Sequence, residues 1–263
     1  MHEQSPSQGT IGAQRGFAMP DQDYSYRDIA KMIDHSLLSP ALTQSELEAG
    51  CSLALRYDTA SVCILPYYTS RCSEILRGST VQTSTTIGFP HGGHTTRVKL
   101  FEAEQALKDG ATELDAVINI SKARSGDWMY VSDEIARLTA MTHEAKARIK
   151  VIFENFYLAD EEKISLCRIC GDASVDWVKT STGYAGGGAT IPDLVLMREN
   201  SPAHVQVKAA GGIRDLDLLL QVRALRVTRI GSTRTQKQLE ECRKRLHLDP
   251  IDQNFVQDSL TGY

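Results

Sequence analysis

The feature that most constrains this chain is an alternation. From about residue 26, short runs of β-branched and small apolar residues are followed repeatedly by longer stretches with apolar residues at helical spacing. Two strands that pair in parallel need a crossover of a dozen or more residues between them, and a helix is the usual crossover. An alternating chain therefore belongs to the α/β class. Strand candidates fall at about 31–37, 61–65, 82–87, 114–120, 150–156, 176–181, 205–210 and 227–231. Between them, Thr43 and Glu46 form a capping box ahead of Leu47, Cys51, Ala54 and Leu55. Thr95 or Thr96 caps a helix that turns Leu100, Ala103 and Leu107 inward and stops at Gly110. Eight such units predict a (β/α)8 TIM barrel in one domain, and 263 residues is an ordinary length for one. The competing architecture, a doubly wound open sheet, is weakened because no G-x-G-x-x-G follows an early strand. The expected organisation is a flexible polar extension at 1–25, rich in Ser, Gln and Gly, a barrel at 26–248 and a polar tail at 249–263.

Composition narrows the partners. A net charge of −4 gives no reason to expect nucleic acid. No apolar run has membrane-spanning length, and the N-terminal stretch lacks the apolar core of a secretory signal, so a cytoplasmic protein is expected. The six cysteines are scattered through apolar stretches as reduced core residues would be. Cys167 and Cys170 make a C-x-x-C, but late in a helical pattern and without a second ligand pair, so packing is the expected role. Asn119-Ile-Ser121 fits a glycosylation sequon and is set aside because it falls in a strand expected to be buried. His91 and His94 flank two glycines and read as loop hydrogen-bonders; no metal and no cofactor is expected.

Catalytic groups of such barrels sit at the carboxyl ends of the strands. Asp115, Lys179 and Lys208 are ionisable residues at these ends, each within an otherwise apolar or small-residue run. The plain interpretation is a structural Asp–Lys ion pair, but that needs only one lysine. The chemical interpretation uses both. A free lysine is almost wholly protonated at neutral pH, whereas desolvation and a second ammonium nearby favour the uncharged, nucleophilic amine. A separate signal is phosphate. Glycine-rich segments follow three consecutive strands, at 182–188, 211–214 and 231–234, and loops of this kind at the end of a barrel bring backbone N–H groups close to an anion.

At these same residues the chain resembles deoxyribose-phosphate aldolase. The matching segments include Ile33-Asp-His-Ser-Leu-Leu, Ser61-Val-Cys-Ile, Ile87-Gly-Phe-Pro, Val151-Ile-Phe-Glu, Trp177-Val-Lys-Thr-Ser-Thr-Gly-Tyr and Val207-Lys-Ala-Ala-Gly-Gly-Ile-Arg, in family order over about 26–235. The resemblance implies reversible cleavage of 2-deoxy-D-ribose 5-phosphate to acetaldehyde and D-glyceraldehyde 3-phosphate through a lysine Schiff base. It implies Lys179 as the Schiff-base lysine, Lys208 as the lysine that tunes it and Asp115 as the acid/base, acting through a water. Asp34, Cys63 and Thr182 would line the substrate, and Gly183, Gly211, Gly212, Thr233 and Arg234 would hold the phosphate. The last loop reads Gly-Ser-Thr-Arg where many relatives read Gly-Ala-Ser-Ser, so Arg234 either grips phosphate or points to solvent. Tyr263 ends the chain, as a tyrosine does in some relatives, and would either reach the site or belong to a disordered terminus. A homo-oligomer, dimer or tetramer, is implied as well. The alternatives are another Schiff-base aldolase or transaldolase, a zinc-dependent aldolase for which no ligand set stands out, and a non-catalytic phosphate-binding barrel.

Overall fold

The structure, a computed structural model, describes residues 23–251. Eight strands, β1 (Ile33–Leu37), β2 (Ser61–Ile64), β3 (Gln82–Ile87), β4 (Glu113–Val117), β5 (Arg148–Ile152), β6 (Trp177–Lys179), β7 (Gln206–Ala209) and β8 (Arg229–Ser232), pair in parallel in sequence order. β8 pairs with β1 and closes a barrel. The helices are α1 (Tyr26–Ala30), α2 (Gln44–Tyr57), α3 (Thr69–Leu76), α4 (Thr96–Lys108), α5 (Ile120–Arg124), α6 (Trp128–Glu144), α7 (Asp160–Asp172), α8 (Ile191–Asn200), α9 (Leu216–Ala224) and α10 (Thr235–Arg245). This is the TIM barrel the alternation predicts. Among the described residues no helix is long and apolar enough to cross a membrane.

The apolar core lies between barrel and helices. Outward strand residues such as Leu114, Val151, Val178, Val207 and Ile230 pack against Ile135, Leu166, Leu194, Leu219 and Leu239 of the surrounding helices. Cys167 and Cys170 are buried in this layer as free thiols, and burial raises both of their pKa values, which suits packing. A smaller cluster, including Leu47, Cys51, Val62 and Cys72, fills the space under α2 and α3.

The departures from expectation fall at strand ends. The strand expected at 114–120 stops at Val117; Asn119 instead caps α5, its side chain accepting from Lys122 N. Residues 153–156 leave β5 through Glu154, which adopts a left-handed conformation (φ 59°) ahead of a short 3-10 turn. β6 ends at Lys179, where 176–181 was expected. Phe156 is exposed, whereas Phe153, Glu154, Asn155, Thr180 and Ser181 stay buried, and the two segments still bond each other beyond the strand ends, with Phe153 N to Lys179 O at 3.0 Å and Asn155 N to Thr180 O at 2.9 Å. Their β-like composition therefore reflects burial at the barrel mouth, where regular pairing has already ended. On α4 the buried face is centred on Lys99, Ala103 and Ala106, with Leu100 and Leu107 at its margins. Lys99 turns inward to an ion pair with Glu134 on α6 (2.8 Å) and donates to Val117 O (2.7 Å). Thr95 is the cap residue of α4 but makes no side-chain cap bond, and the Thr96 N–H donates instead to the Tyr130 hydroxyl at 3.1 Å.

Candidate active site

The barrel interior is charged. Barrel interiors are usually filled by branched apolar side chains. Here Asp34 (β1), Glu113 and Asp115 (β4), Lys150 (β5), Lys179 (β6), Lys208 (β7) and Arg229 (β8) sit buried together. Cross-strand register creates the cluster, since Asp115 lies beside Lys150, Lys179 beside Lys208, and Lys208 beside Arg229. At the floor, the Trp177 ring lies 4.9 Å from the Arg229 guanidinium and 5.2 Å from that of Arg148, and both arginines bond Glu113. Arg229 also donates to Asp34 at 2.6 Å. One level up, Lys150 bonds Glu113 (2.6 Å), Asp115 Oδ1 (2.8 Å) and Ser84 Oγ (3.1 Å).

At the top of this column, Lys179 Nζ and Lys208 Nζ both bond Asp115 Oδ2, each at 2.7 Å. Lys208 also bonds Asp34 Oδ2 at 2.6 Å. The two amines are therefore no further apart than twice the shorter contact, so the doublet expected from the sequence is assembled. Its explanation needs correction. The argument that an ion pair needs only one lysine does not separate structure from chemistry, because Asp115 binds three lysines, and the third, Lys150, is enclosed among carboxylates. What sets Lys179 apart is its electrostatic balance and its place. Burial pushes its pKa down, Asp115 opposes this, and the Lys208 ammonium adds to the lowering. For Lys208 burial also disfavours the charge, but Asp115 and Asp34 outweigh it and its pKa rises. Lys150 rises too, against burial, through Asp115, Glu113 and Asp34. Asp115 and Asp34 sit far below the usual carboxylate range; burial works against this, and the surrounding cations win. With Lys179 uncharged, the cations Lys150, Lys208 and Arg229 match the carboxylates Asp34, Glu113 and Asp115 in number. A buried set prefers such neutrality.

Lys179 is also the member of the column that borders open space. It lines a cavity of about 250 Å³ at the carboxyl ends of β1, β6, β7 and β8, together with Thr182, Gly183, Gly211, Gly212, Thr233 and Arg234. Gly183, Gly211 and Gly212 all have positive φ (90°, 79° and 91°), which only glycine adopts freely. Gly211 is also pressed against Gly188: a Cβ on Gly188 would lie 2.6 Å from the Gly211 carbonyl carbon. Arg234 is exposed at the rim, and its backbone N–H donates to Ser232 Oγ at 2.9 Å. Asp34 and Cys63 are fully buried below the cavity and are not among its lining residues: Asp34 braces Lys208, and Cys63 is a thiol whose pKa burial raises. Tyr263 lies outside the described residues. His91 and His94 are exposed, and among the described residues no group of three or more His, Cys, Asp or Glu is placed to hold a metal ion.

Four residues of this region escape a reading confined to strand ends: Glu113, Lys150, Arg229 and Glu154. The first three carry the same signal as Lys179, a charge at an inward position of a short β run (Arg148-Ile-Lys-Val-Ile, Arg229-Ile-Gly), with Glu113 and Arg229 at the strand start and Lys150 mid-strand, level with Asp115. Glu154 stands past the end of β5.

The comparisons with known proteins agree with this fold. Residues 29–231 match the model of the DeoC/LacD family aldolases. The deoxyribose-phosphate aldolase of Rhodopirellula baltica is 60% identical over 230 residues, covering 88% of this chain and 95% of that protein. That of Caldanaerobacter subterraneus is 42% identical over 227 residues, covering 86% of this chain and 98% of its own. The crystal structure of a putative deoxyribose-phosphate aldolase from Coccidioides immitis superposes with a TM-score of 0.80 at 34% identity, over 84% of this chain and 87% of that one. The tetrameric deoxyribose phosphate aldolase of Aeropyrum pernix does so with 0.78 at 30%, over 84% and 93%. With a family match across most of its length and close relatives covered almost end to end, this chain belongs to the DeoC/LacD family of aldolases.

Proposed function

We propose that this chain reversibly cleaves 2-deoxy-D-ribose 5-phosphate to acetaldehyde and D-glyceraldehyde 3-phosphate, with Lys179 as the Schiff-base amine. The observation that carries the proposal is the sharing of Asp115 Oδ2 by Lys179 and Lys208 at the base of a glycine-lined cavity. The glycine loops suit the phosphate of an extended sugar whose aldehyde end reaches Lys179. The curated relatives carry the name of this activity.

The uncharged Lys179 amine adds to C1 of the open-chain sugar, and loss of water leaves an iminium. Its cationic nitrogen accepts the electron pair of the C2–C3 bond as a base removes the C3 hydroxyl proton. Glyceraldehyde 3-phosphate leaves, the enamine takes a proton at C2, and addition of water to the resulting iminium frees acetaldehyde and Lys179. Asp115 contacts both amines, so a proton passing between Lys179 and Lys208 crosses its Oδ2. Its depressed pKa suits an ionised anchor and counter-charge better than a store of protons. When Lys179 becomes cationic as the iminium, Asp115 is the nearest counter-charge, which favours the intermediate. Gly183, Gly211, Gly212 and Thr233 are the phosphate cradle in this reading, with Arg234 at the rim.

Reduction with borohydride in the presence of acetaldehyde, followed by peptide mass analysis, tests the proposal. An ethyl adduct on Lys179 is expected; no adduct anywhere would favour a non-catalytic phosphate-binding barrel, and activity on other sugar phosphates in preference to this one would favour a different Schiff-base aldolase. A homo-oligomer is part of the same proposal, supported by the exposed Tyr67, Phe101 and Met129 and tested by light scattering. So is a reducing, cytoplasmic setting, which suits the six free buried thiols and is tested by fractionation.

A further inference from the structure

The segment Val151-Ile-Phe-Glu154 ends in a carboxylate that the chemistry above does not use. Glu154 is 1% exposed and holds a left-handed backbone conformation (φ 59°, ψ 65°), which is strained for a non-glycine residue. Burial of a carboxylate in that setting raises its pKa, against the bonds it accepts. A site that carries both strain and a buried acid has a reason to keep them, and the contacts supply one. Glu154 Oε2 accepts from the Thr182 N–H (3.2 Å) and from the Thr182 hydroxyl. Thr182 Oγ1 in turn accepts from Tyr184 N at 3.0 Å. Tyr184 then crosses the barrel mouth: its hydroxyl donates to Leu38 O beyond β1 (2.6 Å), and its ring meets Phe89 beyond β3 edge-on at 5.3 Å. Residues 182–184 thus form a strap pinned at one end by Glu154 and at the other by the β1 and β3 loops.

The strap divides the mouth. On one side is the cavity with Lys179, Gly183 and the glycine loops of β7 and β8. On the other is a second cavity of about 330 Å³, lined by Pro90, His91, Ser121, Glu154, Thr182 and Tyr184 among others. Thr182 belongs to both walls. Glu154 lines the second cavity, and its Oε1 is buried with no hydrogen-bond partner among the described residues.

From this geometry we infer that Glu154 is a positioning residue: through its paired bonds to Thr182 it fixes the Gly183 backbone in the register that receives the phosphate of the substrate. Gly183, at φ 90°, has no side chain to hold its own conformation, and its neighbour Thr182 is the residue anchored. Loosening that anchor lets the strap drift into the second cavity, away from the phosphate. The effect falls mainly on the phosphate end of the substrate, because Lys179 is held separately by β5 and β7 and its charge acts on Glu154 less than burial and the Thr182 bonds do.

The inference rests on the aldolase reading for its substrate, so the test has an arm that does not need catalysis. Inorganic phosphate is titrated into wild type, Glu154→Ala, Glu154→Gln and Thr182→Val and followed by phosphorus NMR line broadening, alongside kcat/KM for 2-deoxyribose 5-phosphate and for unphosphorylated 2-deoxyribose. Glu154→Ala and Thr182→Val should weaken phosphate about 10- to 100-fold. They should lower the ratio of the two kcat/KM values by a similar factor, mostly through KM for the phosphorylated sugar. Glu154→Gln keeps an oxygen that accepts both Thr182 bonds and should stay within about threefold of wild type in both. Equal losses on both sugars, unchanged phosphate binding in folded Glu154→Ala, or a Gln variant as impaired as the Ala variant would overturn the inference. If Glu154→Ala does not fold, wild-type phosphate binding by Thr182→Val overturns it equally. A wild type that binds phosphate but forms no adduct on Lys179 would defeat the aldolase reading and leave the phosphate comparison standing as a test of the strap.

Discussion

Lys208→Met removes the cation that most directly crowds Lys179 while keeping a similar volume. In the native column the two amines lie at most about 5.4 Å apart, each 2.7 Å from the same oxygen. At an effective dielectric near 20, two unit charges at that separation repel by about 3 kcal/mol. Without Lys208 this repulsion is gone, and Asp115 turns more of its charge toward Lys179. Both changes favour the ammonium. At a fixed neutral pH the uncharged fraction of Lys179 should fall on the order of 100-fold. The same logic predicts a modest folding defect. Removing one partner of a buried ion set costs about 3–5 kcal/mol when a charge is left uncompensated, but here protonation of Lys179 restores the balance of three cations against Asp34, Glu113 and Asp115. The assay is the rate of acetaldehyde trapping on Lys179 by cyanoborohydride across the neutral-to-alkaline range, with thermal melts in parallel. The variant should be slow at neutral pH and recover as the pH rises, because the amine is nucleophilic only above its pKa. A loss equal at every pH, or a rate profile at its wild-type position, would refute the electrostatic argument and leave Lys208 a steric or proton-transfer role.

Other outcomes follow from the same contacts. Gly188→Ala places a methyl 2.6 Å from the Gly211 backbone, so Gly211 must move; phosphate affinity should drop about 10-fold and stability by about 1–3 kcal/mol, read by titration and urea melts. Lys99→Met strands the buried Glu134 carboxylate and should cost about 3–5 kcal/mol in urea unfolding, with a large part recovered in Lys99→Met/Glu134→Leu. Burial lowers the His35 pKa to about 4, so the folded protein favours the neutral ring. That contribution is complete above about 6.5 and is lost as pH falls toward about 4, worth about 3 kcal/mol in total; melts of wild type should show the slope and His35→Asn should flatten it.

The parts of the site that the sequence reveals are those whose chemistry is at odds with their setting. A lysine in Trp177-Val-Lys179 or Val207-Lys208 is conspicuous because a β run that is otherwise apolar has no local use for a charge. Arg229 opens its strand, where charges commonly face solvent outside a barrel, and Lys150 stands mid-strand, level with Asp115, in a run that also carries Arg148 and so offers less contrast. Only closure of the barrel turns those inward positions into a sealed interior. Glu154 offers no such contrast, since a glutamate beyond a strand end is ordinary until its backbone conformation and its bonds to Thr182, twenty-eight residues away, are known.

Sequence alone was enough for the alternation, and with it the barrel, because periodicity and crossover geometry are local properties that each segment carries by itself. It also supplied Lys179, Lys208, Asp115 and the glycine loops as a set. Tertiary structure decided which of three buried lysines has its pKa lowered while the other two have theirs raised. That choice depends on the summed field of Asp34, Glu113, Asp115, Lys150, Lys208 and Arg229, brought together from five strands, and a Coulomb sum over residues distant in the chain has no local signature to read.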